Sequence, residues 1–188
     1  VDIFNSKGKS LLNKKGELVC KNSFPSQPKK FWNDKKNQKY KKAYFNEFKN
    51  IWHHGDYAEK KKTGGYIIYG RSDATLNPGG VRLGTAEIYS VVEGFEQIKE
   101  SICVGQSWKN DVRIILFVVL KKNHQLSSNL IKSIKVAIRK DASPRHVPAK
   151  IIQVEDIPRT KNGKIVELAV KNIIDGISIK NKQALANP

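Results

Sequence analysis

Tyr69-Gly70-Arg71-Ser72-Asp73-Ala74-Thr75-Leu76-Asn77-Pro78-Gly79-Gly80-Val81-Arg82-Leu83-Gly84-Thr85-Ala86-Glu87-Ile88-Tyr89 is the stretch around which the chain is organised. The apolar run Tyr66 to Tyr69 reads as a strand that ends at Gly70, and Arg71, Ser72 and Asp73 follow as a short polar joint. Asn77-Pro78-Gly79-Gly80 is turn chemistry, because proline presets φ and glycine permits positive φ. Arg82 stands just past that turn. A helix is predicted to open at Thr85, with Ile88, Val91, Val92 and Phe95 at i, i+3, i+4 and i+7 forming one buried stripe. A charged joint, a glycine turn that admits a ligand to the backbone and a nearby guanidinium suit a phosphate-bearing substrate. Taken alone, the stretch reads more simply as a hairpin followed by a surface helix.

A second stretch changes that balance. Ile157-Pro158-Arg159-Thr160-Lys161-Asn162-Gly163-Lys164 precedes a helical pattern from Ile165 to Ile174. Together with Gly70-Arg71-Ser72-Asp73 it resembles the two hallmark motifs of the C-terminal domain of the acyl-CoA synthetase (adenylate-forming) superfamily, at a spacing that suits that domain. Thr75-Leu76-Asn77-Pro78 with Gly80-Val81-Arg82, and Arg145-His146-Val147-Pro148, are similar to its acetoacetate-activating branch. The resemblance spans essentially the whole chain.

Length and composition set the outer bounds. At 188 residues the chain can bury one or two cores, taking roughly 150 residues per domain. It contains no methionine, not even at position 1, and is read as a piece of a longer or processed polypeptide. No run of about 18 apolar residues occurs, so no membrane span is expected. The first residues, Asp2 and Asn5 among them, lack the order of a signal peptide. Cys20 and Cys103 sit beside apolar Val19, Ile102 and Val104, which favours buried free thiols in a reducing cytoplasm over a disulfide.

The formal net charge of +18 raises nucleic acid or an acidic membrane surface as partners. Yet only six of the 35 basic residues are arginines: Arg71, Arg82, Arg113, Arg139, Arg145 and Arg159. Phosphate clamps favour the planar guanidinium fork, whereas lysine is a hydrated point charge. Five of those arginines lie in or near the motifs, and the lysines are scattered among asparagines. A solvated lysine surface is the preferred reading, and no nucleic-acid partner is expected.

In chain order, Val1 to Phe4, Leu11-Leu12 and Glu17 to Cys20 read as short strands separated by turns. Tyr40, Tyr44, Phe45 and Phe48 form a helical stripe alternating with Lys41, Lys42, Asn46 and Lys49. Such a segment could stack bases along a single strand, but core aromatics on an amphipathic helix fit its continuous apolar side better. His53-His54-Gly55-Asp56 invites a metal, but neighbouring side chains point apart and no second ligand pair stands at the required spacing. No metal site is expected. Lys60 to Lys62 with Gly64-Gly65 turn the chain into the strand at Tyr66. Beyond the first helix, Ser101 to Gly105 and Val112 to Lys121 read as strands, the second apolar on both faces. A helix capped by Ser127 or Ser128 carries Leu130, Ile131, Ile134, Ala137 and Ile138. Lys150 to Val154 returns as a strand. The expected fold class is therefore α/β (α+β), with a mixed sheet and flanking helices.

The resemblance implies more. Residues 1–70 would be the β-rich end of a large N-terminal AMP-binding domain, 71–73 a hinge, 74–176 the mobile C-terminal domain and 177–188 a polar tail. It implies an ATP-dependent ligase joining acetoacetate to CoA through an acyl-AMP, with Mg2+ accompanying ATP and not held by identifiable residues here. The superfamily's phosphate loop and acyl pocket are absent, so the chain's partner is the upstream domain of the same polypeptide, and the chain alone is expected to be inactive. Lys164 would be the catalytic lysine, a placement made notable because a helix N-terminus favours anions over cations. Asp56 would hold the ribose hydroxyls, which suits a carboxylate facing a diol. Arg71 is assigned to the ribose region and Arg82 to the phosphates. Gly79 and Gly80 would flank the CoA channel, Arg139 would face the CoA nucleotide, and Asp73 would be the pivot. Leu83-Gly84-Thr85-Ala86-Glu87 also occurs in acetyl- and propionyl-CoA synthetases, which stay open as alternatives. A basic nucleic-acid-binding module is the alternative from another class.

Overall fold

Short alternating segments separated by Asn and Gly turns build the first part of the chain into a sheet. The computed structural model describes residues 1–179 and 182–187, and it divides into two units, Val1–Asp73 and Ala74–Pro188. In the first unit β1 (Asp2–Phe4), β2 (Lys15–Cys20), β3 (Trp52–Lys60) and β4 (Tyr66–Arg71) form an antiparallel sheet in that order. Leu11 and Leu12 are not a strand. Leu11 N–H donates to the Ile3 carbonyl at 2.7 Å, but Asn13 turns the chain away with φ 53°, and Leu12 is exposed. The segment from Trp52 carries β3, which sequence pattern alone did not reveal. Its alternation is broken by a register shift between Tyr57 and Ala58.

The aromatic stripe takes a different form from the one expected. Helix α1 (Gln38–Tyr44) has seven residues, none of them buried, and Phe45 and Phe48 lie beyond its end. A helix so short gains little from its own hydrogen bonds. The rings instead gather on Trp52, which stacks on Tyr44 with centroids 3.7 Å apart and meets Phe24 and Phe45 edge-on. Phe48 turns the other way to pack edge-on against Phe4, beside buried Val19.

The second unit is α+β. Its mixed sheet has the order β5 (Ile98–Trp108), β6 (Asp111–Leu120) and β7 (Lys150–Gln153), with β5 antiparallel and β7 parallel to β6. The near-continuous apolar run of β6 suits a strand covered on both faces. Leu116 and Val118 face a core shared with Ile88 and Val92 of α2 (Thr85–Val92) and Ile134 and Ile138 of α3 (Ser128–Asp141). Val119 and Phe117 face a second cluster with Ile102, Ile157 and Val170 of α4 (Glu167–Ile174). Ser127 caps α3, its hydroxyl accepting from Leu130 N–H at 3.2 Å.

A buried polar link ties these helices to the sheet. Tyr89 of α2 donates its hydroxyl to Glu167 at the start of α4 and accepts from Cys103 N–H at 3.1 Å. Burial, followed by the neighbouring Cys103 and Glu167, pushes the Tyr89 phenol well above its ordinary range. Burial does the same to the Cys103 thiol. Of the tail expected at 177–188, Lys180, Asn181 and Pro188 lie outside the described residues. Residues 182–187 fold back on the strand-like segment 156–161.

Leu116, 0% exposed, is the natural test of the second core. Leu116→Ala should destabilise the second unit by about 2–5 kcal/mol through lost burial and a residual cavity. Val136→Ala, on the exposed face of α3, should change stability by less than about 0.5 kcal/mol. Native-state hydrogen exchange at β6 amides reads both.

Candidate active-site loops

Three groups of predicted residues lie on loops and strand ends. The first belongs to the Val1–Asp73 unit. Asp56 and Arg71 are register partners across β3 and β4, and Arg71 Nη1 lies 3.3 Å from Asp56 Oδ1 and 3.3 Å from the His54 carbonyl. Arg71 Nε is 3.5 Å from Asp73 Oδ1, so Asp56, Arg71 and Asp73 form one charge cluster. His54 Nε2 approaches the other Asp56 oxygen at 3.3 Å. Gly55 makes room for this arrangement: its φ is 84°, and a Cβ there would stand 2.7 Å from Arg71 Nη2. His53 points elsewhere, its Nε2 2.8 Å from Glu17. Among the described residues no three His, Cys, Asp or Glu side chains gather as a metal site.

Sequence reasoning missed the anchor of the joint. Ser72 donates its hydroxyl to Glu17, the same buried carboxylate that His53 contacts. Ser72–Ala74 forms one turn of 3-10 helix, within which Asp73 keeps an exposed side chain. The signal was faint, since Glu17 and Ser72 are 55 residues apart.

The second group lies in the other unit. Leu76 and Leu83 bridge through paired backbone hydrogen bonds of 2.9 and 2.8 Å, closing a loop whose tip is the 3-10 turn Pro78–Gly80. Gly79 and Gly80 have φ of 58° and 73°, a region most side chains avoid. Gly79 N–H donates to Asp111 Oδ1 at 2.8 Å, fastening the tip to the β5–β6 turn. The N–H groups of Val112 and Gly79 hold the Asp111 carboxyl below the ordinary carboxylate range. A groove of about 630 Å³ beside the tip is lined by Asn77, Gly80, Trp108, Lys109 and Asp111, among others. Arg113 stacks on Trp108 at 3.6 Å. Arg82 Nε donates to Thr75 Oγ1 at 3.0 Å. Arg139 is exposed in the last turn of α3, whereas the guanidinium found against Gly79 is that of Arg145. Beside it, the Nδ1 of buried His146 lies 2.8 Å from Ser143 Oγ, and its Nε2 stands 3.4 Å from Glu87 without a hydrogen bond.

The third group is the Lys164 hairpin. Arg159 and Ile165 bridge, and Thr160 N–H donates to the Lys164 carbonyl at 2.8 Å. Thr160 Oγ1 accepts from Lys164 N–H at 3.1 Å, and Gly163 turns the tip with φ 82°. Arg159 pairs with Glu100 of β5 and donates to the Gly163 carbonyl at 3.2 Å. Lys164 itself is exposed, presented by a turn braced from its own backbone and from the sheet. Such loops can place cations and open backbone against an anionic substrate.

Comparison with known proteins finds similar chains. Residues 87–164 match the AMP-binding enzyme C-terminal domain. The chain is 58% identical to the acetoacetyl-coenzyme A synthetase of Rhizobium meliloti (strain 1021) over 188 residues, covering 100% of this chain and 29% of that protein. It is 48% identical to the acetoacetyl-CoA synthetase of Gallus gallus over 190 residues, covering 100% of this chain and 28% of the relative. The solved acetoacetyl-CoA synthetase from Streptomyces lividans superposes with a TM-score of 0.92 at 37% identity, covering 99% of this chain and 28% of that one. The chain thus spans less than a third of the length of the curated relatives it matches. Among the described residues no helix is long and apolar enough to cross a membrane. Residues 87–164 thus belong to the AMP-binding enzyme C-terminal domain family, and the chain as a whole is similar in sequence and fold to a part of acetoacetyl-CoA synthetases.

Proposed function

We propose that the chain is the C-terminal part of an ATP-dependent acetoacetate:CoA ligase. An acetoacetate oxygen attacks the α-phosphorus of ATP and pyrophosphate leaves, giving acetoacetyl-AMP. The CoA thiol then attacks the acyl carbon and AMP leaves, giving acetoacetyl-CoA. The observation that carries this reading is the braced Thr160–Lys164 turn, which holds an exposed ammonium clear of any acidic partner among the described residues. Adenylation brings a carboxylate onto an already anionic phosphate, where a preorganised cation contributes most. Lys164 fills that role by bridging carboxylate and α-phosphate oxygens. The choice of acetoacetate is supported by the relatives' names and by identity running the length of the chain.

The other residues take supporting roles. Asp56 accepts from the ribose hydroxyls, since a carboxylate already held by Arg71 and His54 retains further lone pairs. Arg71 lies on the ribose side and Arg82 serves the phosphates. The Gly79–Gly80 tip flanks the CoA arm, with Arg139 on the CoA nucleotide and Arg145 beside the tip. ATP arrives with Mg2+, for which we assign no ligand in this chain. The upstream domain supplies the acyl pocket. Free Cys20 and Cys103 support a cytoplasmic setting.

In the full-length enzyme, Lys164→Ala should lower adenylation by roughly 10²–10³-fold, the usual loss for one preorganised electrostatic contact. Thioester formation from supplied acyl-AMP should persist. Pyrophosphate exchange and thioester assays run side by side decide it, and equal loss in both would remove Lys164 from this role.

The hinge makes a separate prediction. We infer that residues 71–73 let one small domain serve both steps, with Asp73 as the pivot. A hinge absorbs its change in φ and ψ at one or two residues, and proline would fix φ there and restrict Ser72 as well. Asp73→Pro should therefore preserve one half-reaction and largely abolish the other. Proportional loss of both, or loss of neither, would place the pivot elsewhere.

A further inference from the structure

The ammonium of Lys164 rides on an exposed hairpin, and a catalytic charge must be held within about 0.5 Å of its working position. One side of the hairpin base is pinned to β5 through Arg159 and Glu100. The other side is covered by residues 182–187, which follow α4. Lys161 N–H donates to the Ala184 carbonyl at 3.1 Å, and Ala186 N–H donates to the Arg159 carbonyl at 2.8 Å. Thr160 and Leu185 form an antiparallel bridge between these bonds. The segment is thus held along the hairpin by a single bridge and the backbone hydrogen bonds that flank it.

Asn187 closes this strap. Its Oδ1 accepts from Arg159 N–H at 2.9 Å. Its Nδ2 donates to Asp156 Oδ2 at 2.6 Å and to the Ile157 carbonyl at 3.0 Å. One side-chain amide therefore engages three positions on the segment leading into the hairpin, a task that needs an acceptor and two donors together. Asp156 is prepared for it. Ile157 N–H, with Asn187 second, keeps its carboxyl below the ordinary range and so ionised as an acceptor.

We propose that Asn187 is a positioning residue for adenylation: through the 184–187 strap it fixes the base of the hairpin that presents Lys164. The proposal rests on the adenylation role given to Lys164 above. Asn187 touches no reacting atom, so its effect passes through the placement of the lysine.

The test uses the full-length enzyme carrying Asn187→Ala or Asn187→Asp. Pyrophosphate exchange with acetoacetate measures the first step, and thioester formation from supplied acyl-AMP measures the second and verifies folding. Misplacing a catalytic group by about 1 Å can cost 10²-fold, so kcat for adenylation should fall roughly 10- to 100-fold with KM for ATP little changed. Asn187→Asp keeps the acceptor but sets a second carboxyl against Asp156. Its deficit should shrink as pH falls, because protonating one of the pair restores a donor. Intact adenylation in both variants, or parallel loss of both steps, overturns the proposal. Lys164→Ala in the same assay separates the two levels. If that variant keeps adenylation, the role of Lys164 itself fails. If it loses adenylation while both Asn187 variants retain it, only the strap fails.

Discussion

Everything in the second unit is positioned by β6, whose backbone pairs with a neighbour on each edge and whose side chains are buried on both faces. An interior strand of this kind tolerates neither a register slip nor a polar insertion, because a one-residue shift exchanges its two faces. The antiparallel ladder to β5 fixes the turn at Lys109-Asn110, and that turn brings Asp111 to the Gly79 amide. The parallel ladder to β7 sets the direction in which the chain leaves toward Ile157 and the Lys164 hairpin. Both candidate loops are therefore side products of how one apolar strand is satisfied.

The loops resemble each other in construction although they are unrelated in sequence. Each is a short bridge closed by backbone hydrogen bonds, with left-handed glycine at its tip and a side chain from elsewhere holding it to the sheet. For Gly79–Gly80 the holder is Asp111, and for Gly163 it is Arg159 with Glu100. Rigid placement of flexible residue types is what a transient charge requires, since a donor that must reorganise during the reaction stabilises less. The Asp56–Arg71–Asp73 cluster uses another device, in which a missing side chain at Gly55 gives the guanidinium its place.

What could be read from the sequence was local. The turn at Asn77–Gly80, the α2 stripe, the doubly buried β6 and the Gly163 tip all depend on residues within a few positions of one another, where period and turn chemistry apply. The bulged β3 was hidden because its alternation breaks at Tyr57. The aromatic stripe was legible as an apolar cluster but not as a seven-residue helix, since its packing centre, Trp52, lies outside the stripe. Polar contacts across long separations left no trace: Ser72 to Glu17, and Asn187 to Arg159 28 residues away. The placement of Arg145 beside Gly79, 66 residues away in sequence, likewise left no local signal.

The bond from Ser72 to Glu17 bears on the character of any swivel at the joint. Ser72 is fastened to the sheet of the first unit, and Ala74 is already buried in the second. The hinge proposed at residues 71–73 would therefore have about one residue in which to rotate, not a slack tether. Reorientation through so few torsions is a hop between discrete backbone wells separated by a barrier, and it carries little of the entropy that a longer linker would lose each time the domain docked.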